Sequence, residues 1–137
     1  MRTIVVFFAV WLAQNGADTD PLLVLKQMFA FKGATATLDA SALVRQYALA
    51  LSNGKEKGMP SDDLMKQAVI KLRDAVPIYI GQVYGDKNGK VEPGEQAAFE
   101  ASEAKGDGAQ GLCLLLWGLK LDSFGWCNVF AVPKLPI

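Results

Sequence analysis

The chain has 137 residues, with 14 lysines and arginines against 14 aspartates and glutamates, and no histidine. That length fits one domain, and the zero net charge leaves no basic footprint for nucleic acid or an anionic membrane. The lack of histidine removes the commonest general base and the Ser/His and Cys/His catalytic pairs. No other nucleophile–base pair or phosphate-cradling glycine loop is visible, so the chain does not read as an enzyme.

Residues 1–17 read as an address. A basic start at Arg2 precedes the apolar run Ile4 to Ala13, and small or polar residues follow to Ala17. That order is the pattern of a secretory signal peptide. The run is too short to span a bilayer, and its alternative is a buried N-terminal helix or strand. With cleavage after Ala17, residues 18–137 form a secreted, extracellular helical domain. Its net charge is −1, since Arg2 is the one charged residue removed. In an oxidising compartment Cys113 and Cys127 are expected to pair. Such a bridge closes a loop of about 15 residues, worth on the order of 3 kcal/mol. Two buried free thiols are the other reading, and the spacing is not that of a redox or zinc motif.

The elements follow in order. Asp20-Pro21 is an N-cap followed by proline at the first helical position. It predicts a helix with Leu22, Leu23, Leu25, Met28, Phe29 and Phe31 on a broad apolar face, ended by Gly33. Ala34 to Leu38 reads as a small-residue linker. A second helix, capped by Asp39 or Ser41, carries Leu43, Val44, Tyr47, Leu49 and Leu51 at near-helical spacing and stops at Ser52-Asn53-Gly54. Ser61 caps a third, with Asp62 and Asp63 at the positive end of its dipole. Its apolar stripe is Leu64, Ala68, Val69, Leu72 and Val76, and Pro77 is expected to break or kink it, or to begin a new helix. A short alanine-rich helix from Pro93 to Ala104 has Phe99 as its one large apolar residue. Lys105 to Gly108 reads as a flexible break. Leu112 to Leu121 predicts a buried helix, with a strand as the alternative for so short an apolar run. From Phe124 the tail reads as irregular, held by Cys127. The fold class is therefore mainly α, a small domain of helix–loop–helix units with an apolar C-terminal helix.

One stretch departs from this scaffold pattern, Tyr84-Gly85-Asp86-Lys87-Asn88-Gly89-Lys90-Val91-Glu92-Pro93-Gly94-Glu95. Oxygen-bearing side chains alternate, a glycine sits mid-turn and a carboxylate closes the segment. Calcium is a hard cation that takes six to eight oxygen ligands. With Gly89 as the turn glycine at position 6, the segment from about residue 76 to 103 resembles the EF-hand family, a helix–calcium loop–helix unit. The resemblance implies five ligands: Asp86 at position 3, Asn88 at 5, the Lys90 carbonyl at 7, Glu92 at 9 directly or through water, and Glu95 at 12. Val91 falls at position 8, where the family has an apolar residue facing the core. Val76, Tyr79, Ile80 and Val83 supply the inward face of the entering helix. The exiting helix offers Phe99 but places Gln96, Glu100 and Glu103 where apolar residues are expected. Tyr84 stands at position 1 in place of the family's aspartate, and Lys87 and Lys90 lower the local negative potential, so binding is expected to be weak. A rival alignment starts at Asp86, has a ten-residue loop, and resembles the calcium repeat of dockerin modules. An ordinary solvated turn would use the same residue types.

EF-hands usually work in pairs, and the one helix–loop–helix at a suitable distance is Ser52 to Asp63. It reads either as a metal-free partner or as a plain helix connection. The mildly basic stretch Lys55 to Arg73 reads as solvated surface, and Trp117, Phe124, Trp126 and Phe130 as core. The functional expectation is a secreted helical protein that binds calcium weakly and has a structural or interaction role, its partners being calcium and another protein or itself. The alternatives are a carrier of a small hydrophobic ligand and a metal-free matrix or effector protein.

Overall fold

The structure, a computed structural model, describes residues 19–85 and 91–131. Its elements are α1 (Pro21–Phe29), α2 (Ala36–Leu51), α3 (Asp62–Tyr84), α4 (Pro93–Ala101), a 3₁₀ turn (Glu103–Lys105), α5 (Asp107–Gly118), a second 3₁₀ turn (Gly125–Cys127) and the single turn α6 (Asn128–Ala131). No strand occurs among the described residues, so the mainly α expectation holds and the apolar segment at 112–116 is helical. No described helix is long and apolar enough to cross a membrane. The proposed signal peptide and the last residues, 132–137, lie outside the described residues.

The expected caps set two helix starts. The Asp20 carboxylate accepts the Leu22 N–H at 2.9 Å, and the Ser61 hydroxyl accepts the Leu64 N–H at 3.2 Å. Each satisfies one of the donors that a helix start leaves without a partner. α1 ends at Phe29, earlier than expected, with Gly33 in the turn beyond it at φ 92°. The second helix begins earlier than the Asp39 cap suggests. Thr35 is its N-cap, and Asp39 sits one turn inside, accepting the Thr35 hydroxyl at 3.2 Å.

The supposed linker is small for a packing reason. Ala36 within it and Ala40, one turn further on, are fully buried, and a Cβ on Gly111 would come within 2.6 Å of the Ala40 methyl. Small residues let α2 and α5 approach backbone to backbone. Gly108 serves the same end against α1, where a Cβ would run into the Met28 carbonyl. The expected flexible break at 105–108 is thus a helix start packed into the core. Asp107 fixes it by accepting the Gly33 N–H at 2.8 Å.

Pro77 does not interrupt α3, which runs continuously for 23 residues. The residue lies on the exposed face, where the carbonyl it leaves without a donor can be hydrated. Val76, Tyr79 and Ile80 are buried on the other face, and their packing outweighs the lost hydrogen bond. The predicted stripe from Leu64 to Val76 is buried throughout.

The core fills the space between α1, α2, α3 and α5, with Tyr47, Leu25, Met28, Leu43, Leu72 and Leu112 among its fully buried side chains. Phe99 extends it to α4. A disulfide joins Cys113 in α5 to Cys127 in the second 3₁₀ turn, with the Cα atoms 5.7 Å apart. It pins the tail so that Trp126 stacks on Phe124, ring centroids 5.0 Å apart, and meets Phe99 edge-on at 5.3 Å. Trp117 closes the intervening turn by donating its indole N–H to the Ser123 hydroxyl at 2.9 Å.

Candidate calcium loop and its surroundings

α3 and α4 flank the loop as the entering and exiting helices. Among the proposed ligands, Asp86, Asn88 and Lys90 lie outside the described residues, whereas Glu92 and Glu95 are described. Glu92 is the N-cap of α4, in extended conformation, with Pro93 at the first helical position. Glu95, in the first turn, folds back so that its Oε1 accepts the Glu92 N–H at 3.1 Å. An acidic first turn also suits the positive end of the helix dipole.

The Glu95 carboxylate reaches across to the other end of the loop. A Cβ built on Gly85 would stand 2.8 Å from Glu95 Oε1 and closer still to the rest of the carboxylate. Gly85 has φ −125° and ψ −158°, ordinary extended values, so glycine is needed for space and not for conformation. Positions 2 and 12 of the loop are therefore in contact. Val91 packs half-buried against the core.

Tyr84, at position 1, is committed elsewhere. Its hydroxyl donates to Glu103 Oε1 at 2.9 Å and lies 2.8 Å from the Ser102 hydroxyl. The Ser102 hydroxyl is also 3.0 Å from the Ala98 carbonyl. Ser102 has a single proton, so it serves either that carbonyl or the phenol. Tyr79 donates to the same carboxylate, 2.8 and 2.9 Å from its two oxygens. Glu103 thus takes two phenol donors and ties the end of α3 to the segment after α4. Burial raises the Tyr79 hydroxyl well above the usual phenol range, and the hydrogen bond to Glu103 and that carboxylate's charge add to the effect. Burial also raises Tyr84; its Glu103 hydrogen bond and the carboxylate charge raise it further, and Ser102 opposes them.

The flanking pattern is partly as expected. Val76, Tyr79 and Ile80 face inward, but Val83 is 52% exposed. Val83 lies three and four residues past Ile80 and Tyr79 and so shares their face of the helix, but there that face runs beyond the core and borders an open cleft beside Leu22 and Leu23. Phe99 is fully buried, with its ring centroid 5.7 Å from Phe29 and 6.0 Å from Tyr84. Of the polar residues at expected apolar positions, Gln96 donates to exposed Glu100 at 2.8 Å, and Glu103 is the acceptor for the tyrosines. Sequence reasoning missed this tyrosine–carboxylate cluster. Its signal was present in Glu103, a carboxylate where the pattern asks for an apolar side chain, opposite two half-apolar phenols that need acceptors.

The 52–61 connection does not stand beside this loop. It precedes α3, and the candidate loop follows it, so the continuous helix sets them roughly 33 Å apart. Glu56 closes the connection by accepting the Ser61 N–H at 2.8 Å, and Asn53 and Gly54 take positive φ, 54° and 86°. It is an ordinary helix connection, not a partner loop.

Among the described residues, no group of three or more histidine, cysteine, aspartate or glutamate side chains converges to hold a metal. No protein-family model matches the chain, and no curated protein or solved structure is detectably similar to it.

Proposed function

We propose that the protein is a secreted, disulfide-stabilised helical protein that binds one calcium ion weakly through residues 84–95, in a structural or interaction role. The observation that carries this reading is the Glu95 carboxylate folded over Gly85, which brings the closing ligand against the start of the loop. Asp86 and Asn88 supply the remaining side-chain oxygens at alternating positions, and the Lys90 carbonyl and Glu92 complete the set. Position 1 is a tyrosine and offers no carboxylate, and its hydroxyl already serves Glu103. Affinity in the range of extracellular modules, about 10⁻⁴–10⁻³ M, follows from that loss. The N-terminal address pattern and the Cys113–Cys127 bridge both suit an oxidising, calcium-rich exterior.

Calorimetry of the oxidised protein at millimolar calcium tests the reading. A saturable heat that Glu95→Gln abolishes and Lys87→Gln preserves or strengthens is expected. No heat and no calcium-dependent rise in melting temperature would leave the loop as a solvated turn.

A further inference from the structure

Two open clefts, each of about 630 Å³, flank Glu103 and meet at Ala30. The first is walled by Phe29, Phe31 and Tyr84, with Lys32, Lys105 and Ser102 around it. The second runs between α1 and α3 over Leu22, Leu23, Tyr79 and Val83, with Lys26 alongside. Each volume falls within the range of small-molecule sites. Leu23 and Val83 are 42% and 52% exposed, large apolar side chains that the core does not use.

The charges around the groove are unequal in a useful way. Three lysines line the two clefts against two carboxylates, Asp20, which caps α1, and Glu103, which accepts both phenol hydroxyls. Asp107, next to the first cleft in the chain, accepts the Gly33 N–H. Lys26, Lys32 and Lys105 have no carboxylate partner among the described residues. An elongated apolar floor with unpaired ammonium groups at its rim suits an occupant with a long apolar body and one anionic head.

We propose that this groove binds a single-chain fatty acid. The carboxylate lies between Lys32 and Lys105, and the chain passes Ala30 to reach Leu22, Leu23 and Val83. This site is separate from the calcium loop and does not depend on it. Each methylene removed from water contributes about three- to fourfold in affinity, so a chain-length series reads the apolar wall directly. The head-group contribution is salt-sensitive, because the lysines are exposed.

Calorimetric titration of the oxidised protein in EDTA with octanoate, decanoate and laurate, each below its micelle concentration, tests this. Saturable one-to-one binding that tightens along the series is expected. Ala30→Trp blocks the waist of the groove without strain, because Ala30 has ordinary helical dihedrals (φ −83°, ψ −14°), and it should weaken laurate at least tenfold. Lys32→Glu with Lys105→Glu should weaken decanoate about fivefold or more at low salt while leaving decanol unchanged. Circular dichroism confirms that each variant is folded. Failure of laurate to saturate, or wild-type affinity in both the Ala30 and the double lysine variants, would overturn the proposal. If Ala30→Trp fails to fold, the lysine pair with decanoate against decanol decides alone.

Discussion

Phe99 holds the exiting helix, and replacing it tests how the candidate loop is anchored. It is the one large buried residue of α4, and its ring meets Phe29, Tyr84 and Trp126 at centroid distances of 5.7, 6.0 and 5.3 Å. Removing a fully buried phenylalanine costs about 3–5 kcal/mol through lost transfer energy and the cavity left behind. Each tilted or edge-on aromatic pair adds on the order of 0.5–1.5 kcal/mol. These neighbours share one cavity and do not sum independently, so we expect Phe99→Ala to cost about 4 kcal/mol. For a domain this size that is a large share of total stability and lowers the melting temperature by about 15 °C. Urea unfolding followed by circular dichroism measures the first quantity and thermal melting the second. Phe99→Leu, which refills most of the space, should recover more than half of the loss. A cost below about 1 kcal/mol would refute the reasoning, because α4 would then be held by something other than its seated ring.

Other consequences can be checked in the same way. Reducing the Cys113–Cys127 bridge, or replacing both cysteines with alanine, should cost about 3 kcal/mol and should raise Trp126 fluorescence sensitivity to quenchers as the tail loosens. Gly108→Ala should destabilise by about 1–3 kcal/mol because its methyl would meet the Met28 backbone, whereas Gly118→Ala, with open space around it, should not. Tyr47 is pushed up to about 12 by burial and, secondarily, by the nearby Asp20 charge. The folded state therefore keeps this proton while the unfolded chain loses it near 10. Stability from this group is complete below pH 10 and declines as pH rises towards 12, by about 2–3 kcal/mol in all. Tyr47→Phe should flatten that part of the alkaline stability profile measured by urea unfolding.

The helices were legible where local chemistry acts alone. Asp20-Pro21 and Ser61 cap where expected, and the stripe from Leu64 to Val76 faces the core. The sequence misled where tertiary packing decides. Ala36 looks like a linker residue because nothing local reveals that it is buried in the core, on a helix that Gly111 approaches one turn later at Ala40. Pro77 looks like a break because its exposed placement, opposite a well-packed face, depends on the rest of the bundle. Val83 has the inward register of Tyr79 and Ile80, yet it is exposed because α1 and the core do not cover the last turn of α3, which the sequence of α3 alone does not reveal. In the candidate loop, the place of Glu95 in the first turn of α4, after Pro93 at the first helical position, was readable from the sequence. The diversion of Tyr84 to Glu103 was not, since the acceptor lies 19 residues away and on the far side of an intervening helix.

The central claim is that one calcium ion is held by residues 84–95, and residue-resolved NMR during a calcium titration tests it most directly. The account predicts that the amides of Gly85 to Glu92, Gly94 and Glu95 shift together along one saturating curve with a midpoint in the high micromolar to millimolar range. The 52–61 connection, at the opposite end of α3, should stay still. Absence of saturating shifts in the loop, or shifts scattered over surface carboxylates such as Asp62, Asp63 and Asp74, would contradict it.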